Sequence, residues 1–275
     1  MTRRIPVLVS IALLALIAGG CPRPTPVELT DAQKAAIQLM AEQTKAAAAA
    51  LHLLHPLRDS RLDLDDIAQI GVFGTCPIVN FMSTQDQAAV QLNYGLVGIG
   101  CVTGAMADQT VAGTVDVIVN RAARTTAVNI LHDVTIAGAM ITAQINVTIA
   151  DIIDGVALNG TADLTTAGVG NFVGDITAWL ERTGLFRVPT ADVDVTDGTA
   201  TLAVAFNSLV IDPVNNGNFI PESGTAQFTV TEADGSPAAT LLVTFTSQSP
   251  ATGTVRVQVN GGTATSYQVP GLTGN

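Results

Sequence analysis

Ile141-Thr142-Ala143-Gln144-Ile145-Asn146-Val147-Thr148-Ile149 is the stretch on which the fold turns. Apolar residues hold every odd position, and Thr, Gln or Asn every even one. Successive side chains of an extended chain point to opposite sides, so this alternation describes a strand with one buried and one solvated face. The same period recurs in Ala200, Leu202, Val204 and Phe206, in Ala226, Phe228 and Val230, and in Val255, Val257 and Val259. Asn159-Gly160, Asp197-Gly198, Asp234-Gly235 and Asn260-Gly261 fall between such runs and predict tight hairpin turns. Gly-Thr opens further runs at Gly113, Gly160, Gly198, Gly224 and Gly253, at uneven spacing. Residues 76–275 are therefore expected to be mainly β: one antiparallel meander of about twelve strands, as a curved sheet, a sandwich or a partly closed barrel.

The composition agrees. The chain has 275 residues, 48% of them hydrophobic and 13% charged, so it can bury a core and is not a disordered polymer. The net charge is −11, with Lys34 and Lys45 the only lysines, which excludes a phosphate-backbone partner; no nucleic acid is expected.

Upstream of the β region the pattern changes. Thr30 followed by Gln33 forms a capping box, with Asp31 in the first turn. Ile37, Met40, Thr44, Ala47, Leu51 and Leu54 then recur at helical spacing until Pro56. This predicts a helix within residues 30–56 whose apolar stripe packs on the sheet rather than on a second copy. Residues 57–75 read as a connector, in which Asp63, Asp65 and Asp66 form a solvated acidic loop.

The N-terminus carries an export signal. Arg3 and Arg4 precede the uncharged run Ile5 to Ala18, and small residues follow up to Cys21. That run is too short to span a bilayer, so no transmembrane helix is expected in the mature chain. Ile17-Ala18-Gly19-Gly20-Cys21 resembles the lipobox of bacterial lipoproteins, which implies cleavage of residues 1–20 and lipidation of Cys21. An ordinary signal-peptidase site at Ala18-Gly19-Gly20 is the alternative, and twin-arginine export from Arg3-Arg4 a weaker one. Two or three acyl chains suffice for stable anchoring. Pro22, Pro24 and Pro26 make residues 21–29 an extended tether. Pro rather than Asp at position 22 points to the outer membrane of a diderm cell.

Three cysteines in an exported chain leave one over, and Cys21 is the one a lipid would use. Cys76 and Cys101 then read as a structural disulfide closing a loop worth about 3 kcal/mol by chain entropy. Two buried free thiols are the competing reading, or a redox pair, for which the usual close Cys-x-x-Cys is absent. Cys76-Pro77-Ile78-Val79, Leu92-Asn93-Tyr94-Gly95, Gly100-Cys101 and Gly113-Thr114-Val115-Asp116-Val117 together are similar to a group of uncharacterised bacterial lipoproteins built from repetitive antiparallel hairpins. The resemblance implies a lipid-anchored β protein and supplies no activity.

Residues with catalytic or metal-binding chemistry are few. His132 is the β region's sole histidine, and its neighbour Asp133 reads as a strand-edge partner; there is no Gly-x-Ser-x-Gly elbow. His52 and His55 lie three apart on the helix, without a third ligand nearby, and read as a solvated helix end. Asp212, Asn216 and Asn218, with Asn215, Gly217 and Glu222, form the one segment with the flavour of a calcium loop. It lacks an oxygen ligand at Val214 and a glutamate at Ser223, so a turn is the plainer reading. Asp192, Asp194 and Asp197 read as one exposed strand face. No enzyme, cofactor or metal is expected. The sequence points to a lipid-anchored envelope protein acting as a structural or interaction module. A carrier for an apolar ligand is the alternative, for which a continuous apolar cavity above ~300 Å³ would speak.

Overall fold

The computed structural model describes residues 28–55, 77–83, 87–96, 100–102, 110–120, 125–136, 139–231 and 238–272. A single sheet of fourteen strands dominates them. The chain runs through β1 (Ile78–Ser83), β2 (Gln87–Asn93), β3 (Cys101–Val102), β4 (Thr110–Asn120), β5 (Thr125–Ile136), β6 (Ala139–Ile152) and β7 (Gly155–Thr166). It continues through β8 (Gly170–Glu181), β9 (Phe186–Thr196), β10 (Thr201–Ile211), β11 (Ser223–Val230), β12 (Ala239–Phe245), β13 (Thr254–Val259) and β14 (Thr265–Gln268). Each strand pairs antiparallel with its neighbour in the chain, except that β2 pairs β4 and the short β3 pairs β4 alone. The sheet is open: β1 and β14 stand at opposite ends of the path. The alternating pattern is realised as an antiparallel meander that does not close on itself.

The deciding stretch behaves as its pattern demands. Ile141, Ala143, Ile145 and Val147 are buried, and Thr142, Gln144, Asn146 and Thr148 are exposed. One hairpin expectation fails. Asn159-Gly160 lies inside the twelve-residue β7, with Asn159 opposite Thr148 and Gly160 opposite Val147. Strands on both sides supply a continuous ladder through the dipeptide, and that outweighs its local turn preference. The Asp197-Gly198 and Asn260-Gly261 turns form between β9 and β10 and between β13 and β14; Asp234-Gly235 lies outside the described residues.

Helix α1 (Asp31–His52) packs on the concave face, touching β7 to β11. Its capping box is complete: Thr30 Oγ1 accepts from Gln33 N–H, and Gln33 Oε1 accepts from Thr30 N–H. Ile37, Met40, Thr44, Ala47, Leu51 and Leu54 are all buried. From Ala47 to His55 every residue is buried, whichever side of the helix it occupies. A helical segment buried all round is a core element, not a surface one, so the C-terminal part of α1 belongs to the core while its first turns, with Asp31 and Ala35 exposed, lie at the surface. Two further one-turn helices, α2 (Pro213–Asn216) and α3 (Ser249–Thr252), lie in the β10–β11 and β12–β13 connections. No helix among the described residues is long and apolar enough to cross a membrane.

Candidate functional site

The concave face is the place for an apolar ligand, and helix α1 occupies it. Between Ala47, Ala48 and Leu51 on the helix and Phe172, Ile176 and Phe206 on the sheet, only about 20 Å³ of open space remains. Four successive alanines, Ala47 to Ala50, let the helix axis come close to the strands, and large side chains from the sheet fill the rest. Gln43 marks the close approach: its Nε2 donates to the Thr196 carbonyl, at 3.4 Å. A Cβ built on Gly170 would lie 2.6 Å from that Nε2 and 1.9 Å from Thr196 O, so only glycine fits there.

The helix end differs from the sequence reading. His52 and His55 are buried, at 0% and 8% exposure, not solvated. Their ring centroids are 4.8 Å apart, and His52 packs against Phe219 at 5.6 Å and Phe186 at 6.4 Å. Beyond them, the Tyr94 hydroxyl donates to the Leu53 carbonyl at 3.0 Å, tying the last turn of the helix to the end of β2. Burial pushes the Tyr94 phenol well above its ordinary 10.0.

On the opposite, solvent-facing side lies an open groove of about 550 Å³, lined by Val173, Asp175, Asp192, Asp194, Ala205 and Gln227 among others. Register builds it. Asp175 on β8 stands directly opposite Asp192 on β9, and Asp194 stands opposite Val173. Ala205 and Ala203 on β10 face Asp192 and Asp194, giving the groove a low wall. Like charges directly opposite across a strand pair cost stability. No histidine, cysteine or serine lines the groove, so it presents negative charge and amides without a nucleophile–base pair. Polar rows flank it: Thr148, Asn159, Thr177, Thr190, Asn207, Thr225 and Thr244 align across seven consecutive strands.

The candidate calcium residues serve their own loop. Asp212 caps α2, accepting from Asn215 N–H at 3.0 Å and from Asn215 Nδ2 at 2.6 Å. Asn216 Nδ2 donates to Glu222 Oε2 at 3.1 Å. Asn218 is buried, with Nδ2 donating to the Asn216 and Pro250 carbonyls and Oδ1 accepting from Ile220 N–H. Asn218 thereby fastens the β10–β11 loop to the β12–β13 loop, and its oxygen is turned to the backbone. Among the described residues, no three His, Cys, Asp or Glu side chains are grouped to hold a metal ion.

Of the other sequence candidates, Cys21, Cys76, Asp63, Asp65 and Asp66 lie outside the described residues. Cys101 is disulfide-bonded, and its half-buried side chain packs against the core. His132 and Asp133 lie within β5. Asp192 and Asp194 share the exposed face of β9, whereas Asp197 sits in the following turn. There its carboxylate accepts from the Thr199 and Ala200 N–H groups, both at 2.8 Å, and from the Thr199 hydroxyl at 2.7 Å. These bonds hold its pKa at about 2, with the Ala200 N–H contributing most. Comparison with family models, with curated proteins and with solved structures finds no match to this chain.

The sequence reading missed the acidic groove and the buried histidines for the same reason. Asp175 and Asp192 are neighbours only through the register of β8 on β9, and the enclosure of His52 depends on the curl of the sheet. A signal for the groove was nonetheless available: Asp175, Asp192 and Asp194 all hold polar positions of alternating runs, so a hairpin pairing of the two runs would have put them on one face.

Proposed function

We propose that this protein is a lipid-anchored component of a bacterial cell envelope that acts as a structural or interaction module. The observation that carries the reading is the sequence Arg3-Arg4, the uncharged run to Ala18, and Gly19-Gly20-Cys21. A diacylglyceryl thioether at Cys21 and an acyl group on its amine would hold the chain at the membrane. Leu29 is buried against the core, so a lipid on Cys21 would keep the body within roughly 30 Å of it, the reach of eight fully extended residues. Cys76 is the partner proposed for Cys101, leaving Cys21 for the lipid.

The filled concave face favours a module over a carrier. The gap of about 20 Å³ between helix and sheet is too small for an acyl chain, against the ~300 Å³ at which ligand pockets begin. What the body offers a partner is its broad solvent face, dominated by Thr, Asn, Gln and Asp.

Intact mass spectrometry of the protein extracted from its native membrane tests the reading. The expected species begins at Cys21, carries two or three acyl groups, and gains two hydrogens on reduction. A chain with an unmodified Cys21 would overturn the anchor, and a stoichiometric non-covalent lipid would restore the carrier.

A further inference from the structure

The chain contains three Asn-Gly pairs, Asn159-Gly160, Asn216-Gly217 and Asn260-Gly261, and the fold treats each differently. Asn-Gly is the dipeptide most open to spontaneous succinimide chemistry, because no side chain shields the glycine nitrogen. In that reaction the glycine backbone nitrogen attacks the asparagine Cγ. The nitrogen gives up its proton, the Cγ–Nδ2 bond breaks and ammonia leaves. Water then opens the ring at either carbonyl, to aspartate or to isoaspartate. The reaction needs a glycine N–H that is not already engaged, and a backbone free to bring nitrogen and Cγ together.

Two of the pairs lack these conditions. Gly160 sits in the middle of β7, paired with Val147 on one side and Ile176 on the other, and the extended strand holds the backbone fixed. Gly217 N–H donates to the Pro213 carbonyl at 3.0 Å, closing α2, and Asn216 Nδ2 is tied to Glu222.

Asn260-Gly261 is the exception. Asn260 and Gly261 have φ of 50° and 70°, and Gly262 N–H donates to the Val259 carbonyl at 2.9 Å, which defines a type I′ turn at the tip of the β13–β14 hairpin. Both residues are exposed, and Gly261 N–H donates to no atom among the described residues. A Cβ built on Gly261 would meet nothing within 4 Å, so no neighbouring group crowds the turn at this residue. Asn260 N–H donates to the Thr240 carbonyl at 2.8 Å, which fixes Asn260 on β12 and leaves the Gly261 side of the turn to move, and its Oδ1 accepts from Thr240 N–H at 2.9 Å. This donor polarises the carboxamide and strengthens as negative charge develops on the oxygen during attack.

We propose that Asn260 is a built-in deamidation site of the folded protein, selected over Asn159 and Asn216 by the turn geometry. The isoaspartate product would add one backbone atom to the turn and a negative charge beside Thr240, loosening the β13–β14 pairing at one edge of the sheet.

Trypsin cuts after Arg124, Arg182, Arg187 and Arg256, so the three pairs fall on three separate peptides. The full chain is incubated folded, in mildly alkaline buffer, and each peptide is followed by mass spectrometry for the gain of one nominal mass unit. The Asn260 peptide is expected to react about tenfold faster than the other two, and the three rates to converge when the incubation is repeated in denaturant. Gly261→Ala is expected to suppress the reaction at Asn260. Equal rates in the folded protein, a preference for Asn260 that survives denaturation, or insensitivity to Gly261→Ala would each overturn the assignment.

Discussion

The Tyr94 hydroxyl donates to the Leu53 carbonyl across forty-one positions of chain, joining the end of the second strand to the final turn of the N-terminal helix. That carbonyl is one of the last four of the helix, which have no partner within it. Tyr94→Phe is therefore expected to leave a buried acceptor unsatisfied and to destabilise the fold by about 1–3 kcal/mol. Urea unfolding of the variant beside the parent chain measures this.

The same residue sets an alkaline limit. Burial raises the Tyr94 phenol above its ordinary 10.0, because the interior disfavours the phenolate. A group raised on folding stabilises fully below its unfolded pKa and loses that contribution as pH climbs toward the folded value. Stability is expected to fall above pH 10, and Tyr94→Phe to flatten that limb. Thermal unfolding across an alkaline series gives the comparison; an unchanged limb in the variant would remove Tyr94 as the cause.

At the acid end Asp197 acts in the opposite sense. The Ala200 and Thr199 donors hold it at about 2, below its ordinary 3.8. A lowered carboxylate contributes stability above the unfolded pKa and loses it as pH falls through the folded one. Asp197→Asn keeps an acceptor but cannot titrate, so its unfolding midpoint is expected to depend less on pH between 4 and 2 than that of the parent.

Packing between helix and sheet leaves no room for growth. Ala48 is 2% exposed beside a gap of about 20 Å³. Ala48→Leu is expected to cost about 1–3 kcal/mol through displaced neighbours. A carrier with a latent cavity would instead accept the leucine without loss, so the same denaturation series bears on the proposed function.

Gly170 gives a sharper test of the close approach. With φ of 131° and the Thr196 carbonyl 1.9 Å from the site of a Cβ, Gly170→Ala strains the backbone as well as the contact. The expected loss exceeds about 1 kcal/mol. Adding Gln43→Ala removes the amide clash but leaves the carbonyl one, so the double variant should recover only part of the loss.

The local patterns of the sequence carried most of the architecture. Ile141 to Thr148 showed its two faces through period two, and Thr30 with Gln33 marked the helix start through a contact spanning three residues. Both signals are short-range, so they survive translation into structure. Asn159-Gly160 shows where such signals lose: a type I′ preference is worth little beside the ladders on both sides of β7. His52 and His55 show a second limit, since polarity near a helix end predicts exposure only if no other element covers it. The acidic groove depends on register between β8 and β9, which alternation constrains to a face but not to a particular pair.

The meander has a consequence for the order in which the molecule assembles. Apart from β3, every hairpin can zip onto its predecessor as soon as both strands exist, which is the cheapest kind of loop closure. The helix obeys the opposite rule. It precedes every strand, yet it packs chiefly against β8 and β9, more than a hundred residues later. An alanine-rich helix of 22 residues is marginal alone in water, so it must wait for the middle of the sheet to complete its packing. Among the described residues the sheet thus grows by local pairing while the helix depends on partners far along the chain, and truncation before β8 is expected to forfeit the helix along with the missing strands.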